Sequence, residues 1–519
     1  SLVEHGDSII RDERVWFWVF PGRDGARYTR YRAPQSVLGA GAIVLADATG
    51  PVSEGRRHFF FTLTSAFACA LLPLAYALWF RHQGMTPRAA LCWSMAGVCC
   101  TPSWFYGTST FDDVLGSAAL VLAVCVAFLT RRRCVLPGAM GAGLLLGIAF
   151  NCKEPLGIFV PAVLAANHDW ERPWRGQLGR AAGVLAGLGL GLVAYRLYDL
   201  HKFPPGSTAD HAAVLSSYVP FWPNRPDAIP AAFLGLTISP GAGVLWYSPT
   251  LALCLYGLAR WWPAEKWLCR GVVVGALVFL GFLCCLTFFA GDPTWGPRYL
   301  TPVLALLWLF APAGAAWVRP GVGRVLLRLG FIVQVLALSV DPHRLYIERG
   351  LPSAFYHHFS PWLYFDGDVS HLLNRPRELV AIVSSGPPAQ VFTPAQAPTF
   401  TFPVIDFVGV HREAVLAGMI GTMSAPDGSG NVCAGGIWLV GWQREHGQAA
   451  VRKYHVLNSL RPWWLSQWYL PPEERPVDLL ATCGLLAGML LAGLALMLLG
   501  TAGPREPGSL NHSYRLSGK

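Results

Sequence analysis

The chain has 519 residues, 53% hydrophobic and only 13% charged, where a soluble globular protein carries roughly 25% charged residues. Much of the apolar excess lies in runs approaching the ~20 residues that cross a bilayer as helix, so composition excludes an ordinary soluble enzyme. The formal charge of +10 is what arginine gathered in short cytoplasmic loops produces, and no nucleic-acid partner is needed to explain it.

Residues 1–57 mix charge with short apolar patches and read as an external loop with helices lying in the interface. No signal peptide precedes Ser1, so a segment lost from the start is expected. About eleven apolar segments then follow, near 58–80, 88–105, 112–129, 135–151, 154–167, 180–197, 231–259, 270–290, 298–318, 322–341 and 477–500. The segment at 231–259 is interrupted by "SPGAG" and is expected to kink or re-enter. Residues 58–341 thus form a transmembrane core. Residues 342–476 form an external segment with short β-like runs, a small mixed α/β unit ending in the aromatic "LRPWWLSQWYLPP". Residues 477–500 supply a last span, and 501–519 a cytoplasmic tail. The thirteen cysteines show no CxxC pair or Cys/His metal spacing and read as small apolar filler.

Orientation follows from arginine. The loops "RHQGMTPR", "TRRRC", "NHDWERPWRGQLGR", "RWWPAEKWLCR" and "RPGVGRVLLR" alternate with the remaining loops, and placing all five in the cytoplasm gives one consistent topology. The other face then collects the unusual residues: Arg30 in "RYTRYRAPQS", Asp112 and Asp113 heading "FDDVLGSAALVLAVCVAFL", Lys153 and Glu154 in "AFNCKEPLGIF", and Arg298 in "AGDPTWGPRYLTP". Each has a structural explanation. Arg298 can snorkel, the two aspartates can complement a helix N-terminus, Lys153 and Glu154 can make a hydrated turn, and Arg30 can be a surface cation. Together, cations and paired carboxylates at several helix mouths on one side point to an anionic ligand with polar chemistry beside it. Guanidinium suits phosphate, and a carboxylate can act as general base or hold a cation.

"GDPTWGPRYLTPVLALL" resembles the W-G-P-R-Y-L-x-P motif of bacterial membrane glycosyltransferases of the GT-C fold, relatives of protein O-mannosyltransferases and lipid A aminoarabinose transferases. "ARYTRYRAPQSVLGA", "TISPGAGVLWYSPTLALCLYG" and "FDDVLGSAALVLAVCVAFL" are similar to further segments of that group, so the resemblance covers roughly residues 1–340. It implies an all-α, GT-C-like bundle in the bacterial inner membrane. It also implies an enzyme that moves a sugar from a polyprenyl-phosphate carrier to a lipid, glycan or protein acceptor on the external face. Carried onto this chain, Arg298 and Arg30 bind the carrier phosphate with help from Lys153, and Glu154 and Tyr299 stand beside them. Asp113 or Asp112 is the catalytic acidic group, and Tyr28 and Trp295 line the pocket. A divalent cation, Mg or Mn, is an optional cofactor. The group's leading acid follows a first helix, which this reading expects ahead of Ser1. The alternatives are a transporter or flippase of lipid-linked sugars, or a non-catalytic relative. On the enzyme reading, Arg298→Ala is expected to abolish donor use without unfolding the protein.

Overall fold

The computed structural model of the chain describes residues 19–29, 33–50, 54–108, 112–132, 135–169, 173–204, 228–286, 289, 295–339, 361–365, 367 and 370–376. Arg30, the rest of 342–476, the 477–500 segment and the tail lie outside them. Seven helices among these residues are long and apolar enough to cross a membrane: Leu63–His82, Asp113–Thr130, Val135–Cys152, Trp174–Lys202, Lys266–Cys284, Arg298–Ala315 and Pro320–Ser339. The protein is therefore a helical, multi-pass membrane protein.

The stretch expected to lie in the interface divides in two. Strands β1 (Val19–Pro21) and β2 (Arg27–Thr29) pair antiparallel, Phe20 opposite Tyr28, and helix α1 spans Ala33–Ala48. Helix α2 (Glu54–His82) packs back along α1, and Arg57 clamps Asp47 through Nε and Nη2 at 2.9 and 2.8 Å. Three expected spans are made of shorter pieces. The 88–105 segment breaks at Cys100–Pro102 into α3 (Pro87–Cys99) and α4 (Ser103–Gly107). Thr86 caps α3, accepting from the Ala89 amide, with Pro87 in the first turn. The 154–167 segment is a 3-10 turn, Glu154–Phe159, leading into α7 (Val160–Asn167). The 231–259 segment interrupts at "SPGAG" between α9 (Ala228–Thr237) and the short α10 (Val244–Tyr247), then resumes as α11 (Leu251–Trp261).

Helix α5 (Asp113–Thr130) and the irregular helix Arg298–Ala315 form the centre: 72% and 78% of their residues are buried, against 28% for the outer helices α8 (Trp174–Lys202) and α15 (Pro320–Ser339). The outer pair exposes Leu178, Leu185, Leu197, Val322, Leu329 and Ile332, the surface that lipid tails cover. Within the centre, Arg298–Ala315 comprises α13 (Thr301–Leu307), a 3-10 stretch and α14 (Ala311–Ala315). Carbonyls along it accept side-chain bonds from α2: Tyr76 Oη donates to Ala305 O at 2.8 Å and Trp79 Nε1 to Leu309 O at 3.0 Å. Away from water, irregular backbone at membrane depth needs such donors.

The most intimate helix pair is α6 (Val135–Cys152) with α8. Gly143 and Gly147 on one face Gly183, Gly187 and Gly191 on the other. A Cβ at Gly191 would lie 2.6 Å from Gly147 Cα, and one at Gly187 would strike the Met140 carbonyl. Small residues at four-residue spacing let helices touch backbone to backbone in lipid. Asn151 Nδ2 then bonds both Gly147 O (2.7 Å) and Gly191 O (2.9 Å), which fixes the α6 end from which Lys153 projects.

The helix ends sort into two faces. At one, Arg131 pairs with Glu265 through two bonds (3.1 and 2.6 Å), His82 meets Phe128, Arg260 lies 5.5 Å from the Trp317 ring, and Arg180 reaches Asp169 at 3.5 Å. These are the ends bearing the arginine-rich loops. The other face lies about 27 Å away, the length of an 18-residue helix.

Candidate functional site

The turn before Arg298 explains the "WGPR" sequence. Gly296 adopts φ +65°, where L-residues are strained, and a Cβ there would sit 2.6 Å from the Tyr247 ring. Pro297 (φ −81°, ψ 82°) forms an inverse γ-turn, the Arg298 amide donating to Gly296 O at 3.0 Å. The chain reverses over Tyr247, drops Trp295 into the interior and turns Arg298 inward at the head of the central helix.

Arg298 meets Asp113. Its Nε donates to Asp113 Oδ2 at 2.6 Å, while Lys153 Nζ pairs with Asp113 Oδ1. Asp113 is wholly buried and Arg298 7% exposed. Lys153 also lies 3.9 Å from Asp112 Oδ1. The Tyr299 ring stands beside both cations, 4.5 Å from Lys153 Nζ and 5.6 Å from the Arg298 guanidinium, a cation–π arrangement. Glu154 turns the other way and accepts from Tyr195 Oη at 3.1 Å. Four sequence-distant segments therefore converge at one end of the bundle, opposite the basic loops.

The simpler structural explanation fails for one group. Arg298 does not snorkel, since it is buried and ion-paired. Asp112, at the N-cap of α5, makes no side-chain capping bond. Burial pushes the Asp112 carboxyl above its ordinary range, Asp113 and Glu154 adding to the rise while Lys153 and Arg298 oppose it. The expectation that Arg298→Ala is a clean probe of phosphate binding is corrected: the residue is part of the packed interior, and its loss leaves buried Asp113 with one cation fewer.

Tyr28 and Trp295 stand apart from the ion cluster. Tyr28 is buried edge-on against Phe203 at 6.0 Å, at the outer end of α8, where Lys202 is fully buried with its Nζ 4.2 Å from the Tyr198 ring. Tyr195, which holds Glu154, lies seven residues before Lys202 on the same helix, so the hairpin sits about 10 Å further out. Trp295 is fully buried and stacks edge-on with Tyr247 at 5.2 Å, and Tyr106 Oη donates to its carbonyl at 2.9 Å. Above it lie His371 (rings 6.2 Å apart) and Arg375 (5.3 Å), both from the 342–476 segment. Sequence reasoning missed Lys202, His371 and Arg375. No local pattern marks them, because what distinguishes them is burial.

A divalent cation does not fit this donor set. Among the described residues no group of three His, Cys, Asp or Glu side chains is placed to hold a metal ion, and both Asp113 oxygens face cations. Hard cations want several oxygen ligands.

Fold and site thus define a multi-pass helical membrane protein with a buried ionic cluster at one face. No family model, curated protein or solved structure matches the chain.

Proposed function

We propose that the protein is a membrane glycosyltransferase of GT-C type that moves a sugar from a polyprenyl-phosphate carrier to a lipid, glycan or protein acceptor on the external face of a bacterial inner membrane. One observation carries the reading: Asp112, Asp113, Lys153 and Arg298, from three separate segments, meet at a single helix-end cluster. The broken segments 88–105, 154–167 and 231–259, with 477–500, join the seven long helices to make eleven crossings. A flippase is less well supported, because such proteins place their key groups near the bilayer midplane.

The carrier phosphate docks against Lys153 and Arg298, which Asp113 holds in place. Asp113 is a positioning residue, since both its oxygens are occupied. Asp112 is the carboxylate that takes the acceptor's proton as the acceptor oxygen or nitrogen attacks the anomeric carbon. The bond from that carbon to the phosphate oxygen breaks, the carrier phosphate leaves with the electron pair, and the two cations stabilise its charge. A single displacement inverts the anomeric centre. Release of labelled sugar from a polyprenyl-phosphate donor in proteoliposomes tests this. Wild type should transfer, and Asp112→Asn should lose about two orders of magnitude or more in rate. Unchanged transfer by Asp112→Asn would refute the assignment.

A further inference from the structure

The face that bears the arginine-rich loops carries three exposed tryptophans, each with a guanidinium over its ring. Arg175 lies 5.7 Å from the Trp174 ring at the start of α8, and Arg270 lies 4.8 Å from the Trp267 ring at the start of α12 (Lys266–Cys284). Arg260, at the end of α11, lies 5.5 Å from the ring of Trp317, just beyond α14. In chain order the three indoles are 67%, 39% and 62% exposed. Helices α11 and α12 are neighbours here, Cys269 Sγ donating to Leu258 O at 3.7 Å. Among the described residues the acids of this face are Asp169 and Glu265, which pair with Arg180 and Arg131. Arg175, Lys266, Arg270, Arg319 and Arg328 are exposed. Arg175 and Lys266 do not serve their own helices: a cation in the first turn opposes the helix dipole, and neither helix has an acid there.

We propose that this face is a docking surface for the anionic phospholipid headgroups of the surrounding bilayer, with the three Trp–Arg pairs as its anchor points. Depth argues for lipid. One turn inward from Trp174 and Arg270 the surface is apolar, with Leu178 and Val274 exposed. The indoles therefore stand where hydrocarbon gives way to headgroups, the level that tryptophan favours. Chemistry argues for phosphate. A guanidinium stacked on an indole offers its flat face to the ring and keeps its N–H groups, which lie in its plane, for a bidentate acceptor. Charge argues for an acidic headgroup over a zwitterionic one: with Asp169 and Glu265 each ion-paired, the exposed cations attract net negative charge. A soluble acidic protein would meet the same cations, but not indoles at the edge of the hydrocarbon. The surface stands whether or not the protein transfers sugar, and whichever way it is oriented in the membrane.

Electron spin resonance of the full chain in phosphatidylcholine vesicles tests this, with tail-labelled phosphatidylglycerol and tail-labelled phosphatidylcholine as the two probes. The protein-bound fraction should favour phosphatidylglycerol about threefold or more at low salt, and the preference should fall in about 1 M salt. Arg175→Gln, Arg260→Gln and Arg270→Gln together should bring the preference to within about 1.5-fold. Lysine at the same three positions keeps the charge and loses the planar fork. Trp174→Leu, Trp267→Leu and Trp317→Leu together keep the cations and lose the rings. Each of these two triple variants should lose about half the preference or more. Should the glutamine triple fail to fold, Arg175→Gln with Arg270→Gln, both exposed positions, carries the test. No preference in the wild type, or one unchanged in the glutamine variants, overturns the proposal. A preference that the lysine and leucine variants keep in full also overturns it, because net charge alone would then account for the binding. Capture of polyglutamate without any lipid preference would point to an acidic protein partner and overturns it likewise.

Discussion

Asp113→Asn isolates the centre of the site. Asparagine keeps the shape of the side chain and removes its charge. Arg298 and Lys153 then lose the carboxylate that both contact, and Asp112 stays 3.9 Å from Lys153. Asp113 is fully buried, and the side chains of Arg298 and Lys153 are 8% and 17% exposed, so solvent screens the loss poorly. Removing one partner of a buried pair costs about 3–5 kcal/mol. At roughly 2 °C per kcal/mol for a large domain, melting of the detergent-purified protein, followed by circular dichroism, should fall by about 6–10 °C. Adding Arg298→Gln to Asp113→Asn removes the guanidinium that has lost this carboxylate, so the double variant should be about 1–3 kcal/mol more stable than the sum of the single effects. A melting point for Asp113→Asn within about 1 °C of wild type, or strictly additive effects, would show that the ion triad does not hold this end of the bundle.

Gly296→Ala forces a Cβ toward Tyr247 at φ +65° and should cost about 1–3 kcal/mol, lowering both the melting point and polyprenyl-phosphate binding in calorimetry because Arg298 is displaced. Gly187→Leu should separate α6 from α8 and break the Asn151–Gly191 bond. Faster hydrogen exchange at residues 147–153 is the readout, and unchanged exchange would show the seam is not required. Asp112 titrates above the usual carboxylate range. Protonating it takes the formal charge of Asp112, Asp113, Glu154, Lys153 and Arg298 from −1 to zero, so phosphate-lipid affinity should fall as pH rises through that pKa. Asp112→Asn should hold the affinity at its low-pH level. A cysteine introduced at Thr108 should react with a membrane-impermeant reagent applied from outside, and one at Arg88 should not. The reverse pattern would invert the topology.

The long helices were legible because lipid imposes a length and an apolar composition on each crossing, and arginine placement ordered them. The breaks were legible only in part. "SPGAG" announced the interruption at 238–243, but the division of 88–105 at Cys100–Pro102 depends on how α3 and α4 pack against α2. The hairpin at 19–29 was hidden in a stretch too mixed to show a period of two. At the site, the meeting of Asp113, Lys153 and Arg298 followed from topology, since all three close helices at one face. What topology could not supply was depth. Asp112 and Asp113 are adjacent in sequence and equal in charge, yet one is wholly buried and the other is not. Likewise nothing in the sequence of the 342–476 segment marks Arg375 as buried, 5.3 Å from the Trp295 ring.

On the proposed function, that difference in depth divides the labour between the aspartates. Two cations held in the interior without counter-charge would be expelled to the interface or would lose their geometry before any ligand arrived. Asp113 prevents this with one oxygen on each, so the cations are desolvated and oriented in advance, the condition under which charge stabilisation is most effective. The same contacts disqualify Asp113 as a base, because protonating it would release both cations together. Asp112 has no such duty: it is partly exposed, lies 3.9 Å from Lys153 and makes no capping bond. A proton can therefore come and go at Asp112 while the triad stays intact, and this is why Asp112→Asn should impair turnover more than stability while Asp113→Asn should impair stability first.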